Sequence, residues 1–366
     1  MNIPMVDLIE QYKSIREEID RAVINVVESG RFIMGPNVEA FESEMAEYCG
    51  ARFGIACNSG TDALQISLMA AGIGPGDEVI TTPFTFVATA EVIVLLRARP
   101  VYVDIEQDSY LIDVDKIEQS ITDKTKAIIP VHIFGQCADM DRINEIAAKH
   151  DLVVIEDACQ AVGALYKGKK ACSLGTMGCL SFFPSKNLGG YGDGGMILTS
   201  DESLKKRLCM LRDHGSDRRY HHSVVGVNSR LDAIQAAVLR VKLKYIDKWN
   251  KARQEKGALY SKLLKDADVV TPVIKEGNTH VFHQYSIRVK NRDALQVHLK
   301  EAGIATAIHY PVPLQLQPAF HSDEFPQGSL PVSESVSKEI LSLPMYPELK
   351  EEAVNYITER IVEFTG

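Results

Sequence analysis

No stretch of the 366-residue chain approaches the ~20 consecutive apolar residues that a helix needs to span a bilayer, so no membrane anchor of that kind is expected. There is no surplus of positive charge either. Forty Lys and Arg against 49 Asp and Glu leave a formal net charge of -9, which argues against a protein that holds nucleic acid by neutralising phosphates. No C-x-x-C pair occurs, and the seven cysteines at 49, 57, 137, 159, 172, 179 and 209 are scattered and odd in number. That is the pattern of reduced thiols rather than of a disulfide framework. No cluster of His, Cys and Asp stands at metal-ligand spacing, and the adjacent His221 and His222 cannot share one helix face, so no metal is expected. The first residues, Met1-Asn-Ile-Pro-Met-Val-Asp7, hold no basic region followed by an apolar one. A soluble, cytoplasmic protein is therefore expected.

What is present is ordinary globular material, 45% hydrophobic and 24% charged, in a length that suits about two domains. Residues 8–28 carry apolar side chains at helical spacing, a glycine-bearing break follows at Gly30 to Pro36, and Val38 to Tyr48 reads as a second helix. Short strand-like runs then alternate with helices: 51–57, 78–82, 100–105, 126–131 and 152–155 against 61–71 and 141–150. This alternation predicts an α/β class with a mostly parallel sheet covered on both faces. Beyond Arg230 the pattern changes. A long helix is expected around 231–264, a strand at 281–289, a helix at 294–302 and another strand at 305–310. The expected division is a large domain over 1–245 and a smaller α+β C-terminal domain over 246–366.

Two glycine patterns mislead. Gly190-x-Gly192-x-x-Gly195 has dinucleotide-fingerprint spacing but precedes a strand-like run instead of a helix. Gly163 to Lys170 resembles a P-loop without the Ser or Thr that would hold magnesium. Three other segments agree on one chemistry. The run 153–155 ends in Glu156-Asp157, with Gln160 beyond. An acid at a strand's carboxyl end is placed to pair with a buried cation, or else to cap a helix. Asn58-Ser59-Gly60-Thr61-Asp62 opens a helix after a strand, where N–H groups and the Ser59 and Thr61 hydroxyls bind a phosphate or merely cap. Lys186 lies between the apolar run 179–183 and five glycines in the seven residues 189–195, a setting for a reactive amine. A phosphate cradle, a strand-end carboxylate and this lysine, in that order, suit pyridoxal 5'-phosphate. The amine condenses with its aldehyde and the acid keeps its ring nitrogen protonated.

On these motifs (Ser59–Leu64, Glu156–Gln160, Ser181–Lys186 and Asn228–Asp232) the sequence resembles the DegT/StrS nucleotide-sugar aminotransferases of the aspartate-aminotransferase fold, fold type I. The likeness runs from Gly30 to Pro313. It implies a three-layer large domain, a Schiff base at Lys186, which also relays the proton, and Asp157 on the pyridine nitrogen. It places Gln160 against one ring face or the phenolic oxygen and Phe86 on the other face, with Gly60, Thr61 and Ser181 on the phosphate. It also has Asn228 reach the neighbouring subunit's phosphate, so that a homodimer shares its active sites. Each has a plainer reading: Phe86 as core, Ser181 as an inert strand residue, Asn228 as a helix cap. Cys159 stands where many relatives have Ala.

The run 214–222 and the segment 308–320 are similar to the branch that aminates C3 of the sugar. Arg218, Arg219, Tyr220, His221, Arg230, His309 and Tyr310 supply cations and donors for a sugar diphosphate, although Arg218-Arg219 also fits a solvated loop. The expected reaction transfers the amino group of glutamate, by ping-pong chemistry, to a UDP-linked 2-acetamido-2-deoxy-3-oxo-glucuronate, whose carboxylate needs a cation such as Arg230. The alternatives are a dTDP-3-keto-6-deoxyhexose, a 4-keto sugar, or a pyridoxal-phosphate sugar dehydratase. Close relatives that deoxygenate C3 carry histidine in place of the lysine. Amino-sugar supply for polysaccharides or glycosylated metabolites is the expected setting.

Overall fold

A computed structural model describes residues 2–366. Its largest sheet has seven strands: β1 (Phe53–Cys57), β2 (Glu78–Thr81), β3 (Arg99–Tyr102), β4 (Thr125–Ile128), β5 (Val153–Asp157), β6 (Met177–Ser181) and β7 (Gly195–Thr199). They lie in the order β1-β7-β6-β5-β4-β2-β3. Every neighbouring pair is parallel except those of β7, which runs against both β6 and β1. Burial on both faces explains the nearly continuous apolar strands. Ala56, Val154, Met196 and Leu198 face a core closed by the helix Pro36–Cys49 and by Leu239. Ile55, Cys57, Ile155 and Ile197 face the helix Gly60–Ala70 and Leu208. The result is the three-layer α/β arrangement expected from the strand–helix alternation.

This topology sets the position of everything that follows. With β7 as the one reversed strand, β1, β2, β4, β5 and β6 all present their carboxyl ends to the same edge of the sheet. Ligands gather at such an edge because strand termini and helix N-termini converge there. No helix among the described residues is long and apolar enough to cross a membrane.

The single helix expected around 231–264 is instead two, Ala233–Leu243 and Ile246–Leu263. The break at Lys244-Tyr245 is fixed from outside. Lys244 pairs with Glu18 at 3.0 Å, the Tyr245 hydroxyl bonds the same carboxylate, and the Tyr245 ring stacks on Trp249 at 5.8 Å. The helix expected over residues 8–28 likewise divides at Ile15, where the backbone leaves helical geometry. The strand expected at 305–310 is reduced to a single bridge, Ala307 to Ser342. Its would-be partner, Ile340–Leu343, pairs with Tyr285–Arg288. That pair is covered by the helices Arg292–Glu301 and Glu351–Thr365 around a core of Tyr260, Tyr285, Leu341 and Ile357.

One buried acid joins this C-terminal layer to the large sheet. Asp104, just beyond β3, accepts from Val332 N and Ser333 N at 2.9 Å each and from Ser333 Oγ at 2.6 Å. Those are the orphan donors at the start of the helix Pro331–Glu339, which has no side-chain cap of its own. Asp104→Ala strands these donors in the interior. It is expected to lower the unfolding free energy by about 3 kcal/mol, measured as a lower urea midpoint at unchanged slope.

Candidate active site

A cavity of about 450 Å³ opens at the carboxyl edge of the sheet. Ser59, Gly60 and Thr61 line it from the turn after β1, Thr85 and Phe86 from the segment after β2, and Val131 from beyond β4. Asp157, Cys159 and Gln160 enter from the end of β5, and Ser181, Ser185 and Lys186 from the end of β6. Asp193 and Gly194 stand just before β7, while His283, Gln284, His309 and Tyr310 reach over from the C-terminal layer.

Two glycines let the walls meet. A Cβ on Gly60 would sit 2.7 Å from Ser181 Cβ and 2.8 Å from Cys159 Sγ, and one on Gly195 would sit 2.2 Å from Ser59 O. Because both positions lack a side chain, the N-terminus of the helix Gly60–Ala70 packs directly against the end of β6. That helix begins with Ser59 Oγ accepting from Asp62 N at 3.0 Å, which leaves the Ser59 hydroxyl proton free. Ser229, fully buried, braces the turn by accepting from Asn58 N at 3.1 Å and donating to Asp62 at 2.6 Å. The helix N-terminus and the hydroxyls of Ser59, Thr61 and Ser181 border one space, an arrangement that could hold a phosphate group.

Lys186 sits in a tight turn closed by its own N–H on Phe183 O at 2.8 Å, and Gly190 N returns to Phe182 O at 2.8 Å. The glycines beyond are gripped by the helix Ala233–Leu243: Lys242 Nζ donates to Gly189 O and Gln235 Oε1 accepts from Tyr191 N, each at 2.7 Å. Neither glycine-rich segment belongs to a nucleotide motif. Gly190 to Gly195 leads into β7, and Leu165 to Lys170 is a small hairpin. Burial pushes the Lys186 amine below its ordinary range, against the pull of Cys159 and Asp157. A depressed pKa raises the fraction of neutral, nucleophilic amine at a given pH.

Asp157 accepts from Thr89 Oγ1 at 2.7 Å and from Cys159 N at 3.3 Å. The neighbouring Glu156 has a different task. Wholly buried, it accepts from Cys172 N, Leu174 N and Gly175 N at 2.7–2.8 Å and meets His132 Nε2 at 3.0 Å, so it ties down the turn before β6. Gln160 is held at both ends, by Phe134 N at 2.7 Å and by the Tyr310 hydroxyl at 3.1 Å. Phe86 is 54% exposed at the cavity mouth with its ring 6.4 Å from that of Tyr310, so it is not plain core. His309 Nδ1 meets Ser342 Oγ at 2.9 Å. Burial, helped by Lys186, pushes its pKa down to about 4. Of the cations and donors that the sequence offered for a diphosphate, His309 is thereby a neutral hydrogen-bonding group at pH 7 and not a cation.

Of the residues singled out from sequence, Ser59, Gly60, Thr61, Phe86, Asp157, Gln160, Ser181, Lys186, His309 and Tyr310 share this one cavity. The others do not reach it within a single chain. Arg218, Tyr220 and His221 lie exposed on the hairpin Ser216–Arg218/His221–His222 with Arg219 between its strands. Arg230 is half-buried and bonds Asp213 at 2.9 Å. Asn228 is exposed and is not the cap of the following helix, a position held by Asp232. Sequence reasoning missed Thr85, Thr89, Asp193 and His283. The first two sit in a Thr85-x-x-x-Thr89 spacing at a helix start that the sequence shows but does not explain.

A cofactor with a phosphate, an aldehyde and a basic ring nitrogen fits these residues. The glycine-lined cradle, the desolvated amine and the strand-end carboxylate all border the same space.

Comparisons with known proteins agree. The DegT/DnrJ/EryC1/StrS aminotransferase family model matches residues 13–362. The chain is 53% identical to a "Pleiotropic regulatory protein" of Geobacillus stearothermophilus, over 100% of this chain and 99% of that one. It is 49% identical to the UDP-2-acetamido-2-deoxy-3-oxo-D-glucuronate aminotransferase of Pseudomonas aeruginosa, over 97% and 98% of the two chains. The crystal structure of S. venezuelae DesV in complex with a ketimine intermediate superimposes with a TM-score of 0.97 at 41% identity, covering 100% of this chain and 98% of that one. By the span of the family match and the extent of these identities, the chain belongs to the DegT/DnrJ/EryC1/StrS aminotransferases.

Proposed function

We propose that this sugar aminotransferase uses pyridoxal 5'-phosphate to move the amino group of glutamate to C3 of UDP-2-acetamido-2-deoxy-3-oxo-glucuronate. The observation that carries the reading is the depressed amine of Lys186 on the same cavity as Asp157 and the Ser59–Thr61 cradle. When bound, the cofactor supplies an aldehyde that takes up the amine and a ring that draws electrons away from the reacting carbon. The chain supplies the rest. Ser59, Thr61, Ser181 and the helix N-terminus hold the phosphate, and Asp157 keeps a proton on the ring nitrogen. Gln160 and Phe86 fix the ring plane. Lys186 Nζ takes the proton from the donor's α-carbon and later delivers one to sugar C3, and its partial desolvation matches that double duty. A purely regulatory role, of the kind named for the G. stearothermophilus relative, leaves the joint presence of Lys186 and Asp157 without purpose.

The sugar preference rests on the 49% identity to the P. aeruginosa enzyme. One observation favours the second reading, a dTDP-3-keto-6-deoxyhexose. Arg230, the expected partner of the glucuronate carboxylate, is already bonded to Asp213. Glutamate-dependent turnover of the two keto sugars side by side decides between them.

The homodimer with shared active sites has its own support. Lys186 is the only Lys or Arg lining the cavity among the described residues, too little charge for a nucleotide diphosphate. The exposed Arg218-Arg219 hairpin and Asn228 have no such ligand within their own chain. Phe86 at the cavity, and Val94 and Leu95 at the far end of the helix Ala88–Leu95, also leave apolar surface uncovered. A second copy of the chain supplies both needs.

Lys186→Ala is expected to abolish turnover and the borohydride-reducible cofactor adduct, read by mass spectrometry. A variant that keeps either one refutes the assignment. Mixed refolding of inactive Lys186→Ala with a cofactor-poor Asn228→Ala chain is expected to restore activity that neither has alone, because one site of each mixed dimer is intact. Absence of such recovery, with mixed dimers verified by mass, removes the shared site.

A further inference from the structure

Thr89 has no place in the chemistry described so far, yet its geometry is unusual. It occupies the first turn of the helix Ala88–Leu95 and is fully buried. A threonine in a helix ordinarily turns its hydroxyl back to the carbonyl three or four residues earlier. Thr358 and Thr365 of this chain do so, to Val354 O and Ile361 O at 3.1 Å each. The Thr89 hydroxyl instead crosses to Asp157 Oδ2 at 2.7 Å, the only side-chain hydrogen bond that Asp157 accepts among the described residues. Behind it, Thr85 Oγ1 lies 3.0 Å from Thr89 Oγ1 and itself lines the cavity.

The direction of this chain of hydroxyls follows from its last member. Thr89 Oγ1 donates its single proton to Asp157 Oδ2, so the Thr89 oxygen accepts from Thr85. Both dipoles then point at the carboxylate, inside a buried setting where such a bond is stronger than in water. His132, which could have served as a relay, is committed elsewhere, to Glu156 and to Ala138 N at 3.2 Å. Oδ2 is thereby occupied. Oδ1 keeps only the long 3.3 Å contact to Cys159 N and stays available to the cavity.

Resting on the cofactor reading above, we propose that Thr89, backed by Thr85, is a positioning residue. It locks Asp157 in the rotamer that offers Oδ1 to the ring nitrogen. Local packing does not explain the pair, because neither hydroxyl caps the helix, whose start has no side-chain cap.

The test uses the full-length protein stripped of cofactor and two probes, pyridoxamine 5'-phosphate and its 1-deaza analogue, in which C–H replaces the ring nitrogen. Thr89→Val, matched in shape, is expected to weaken pyridoxamine phosphate binding about tenfold, the usual worth of a hydrogen bond to a charged group, while Thr89→Ser restores it to within about threefold. The deaza analogue has no ring proton to offer Asp157, so wild type and Thr89→Val should bind it equally. Equal loss for both probes, or no loss for either, overturns the proposal and leaves Thr89 as packing. Should Thr89→Val not fold, Thr85→Val at the cavity wall decides by the same comparison. Its loss is expected to be about twofold to threefold and confined to pyridoxamine phosphate; equal loss for both probes, or no loss for either, overturns the proposal. A wild-type chain that binds no pyridoxamine phosphate removes both this inference and the cofactor reading. Normal wild-type binding with an unaffected Thr89→Val removes this one alone.

Discussion

The close approach of the helix Gly60–Ala70 to the β6–β7 hairpin is the constraint on which the site depends. It is possible only because Gly60 and Gly195 carry no side chain, for a single Cβ at either would meet atoms at 2.2–2.8 Å. That contact brings the turn after β1 against the end of β6, although 120 residues separate them. It works because β7 alone runs backwards, returning the chain from the lysine turn to lie between β6 and β1. Without the reversed strand, β1 would not lie beside the lysine turn, and the phosphate cradle and the amine would stand on different parts of the sheet.

Desolvation then does the electrostatic work. The same burial lowers the Lys186 amine, brings His309 down to about 4 and raises the Cys159 thiol, so the groups nearest the lysine carry little charge of their own. Asp157 is different in kind. It is buried but receives a hydroxyl and an amide donor, so its oxygens are not left without partners. One acid supplied with donors on the same cavity as one amine lowered by burial is a small arrangement, yet it distinguishes this lysine from the many solvated lysines of the chain.

Much of this was legible in the sequence, for a physical reason. Strand ends and helix starts are local features, and the residues singled out there, from Ser59 to Lys186, converge because a parallel sheet delivers its carboxyl ends to one edge. What stayed hidden depends on tertiary distance. Thr89 meets Asp157 across 68 residues, and His283 enters from the C-terminal layer, with no periodicity to announce either. Glu156 and Asp157, adjacent and alike on paper, part company because successive strand residues face opposite sides of the sheet. One is drawn into the turn before β6 and the other opens on the cavity. The long helix around 231–264 failed for a similar reason. Its apolar spacing is continuous, but Glu18, some 226 residues earlier, pins Lys244 and Tyr245 at the break.

The site also separates chemistry from recognition. The residues suited to a phosphate, a ring nitrogen and an aldehyde stand on strand ends and the first turn of a helix, where backbone hydrogen bonds and close packing fix them. Those suited to a sugar nucleotide, Arg218 to His221, sit on an exposed two-stranded hairpin that touches none of the cavity in its own chain. Loops on a rigid scaffold change more readily than the scaffold. On the proposed function, this division leaves the hairpin free to vary with the sugar while Lys186 and Asp157 stay fixed in the scaffold. The same separation explains why the motif residues identify the reaction class so much more sharply than they identify the sugar.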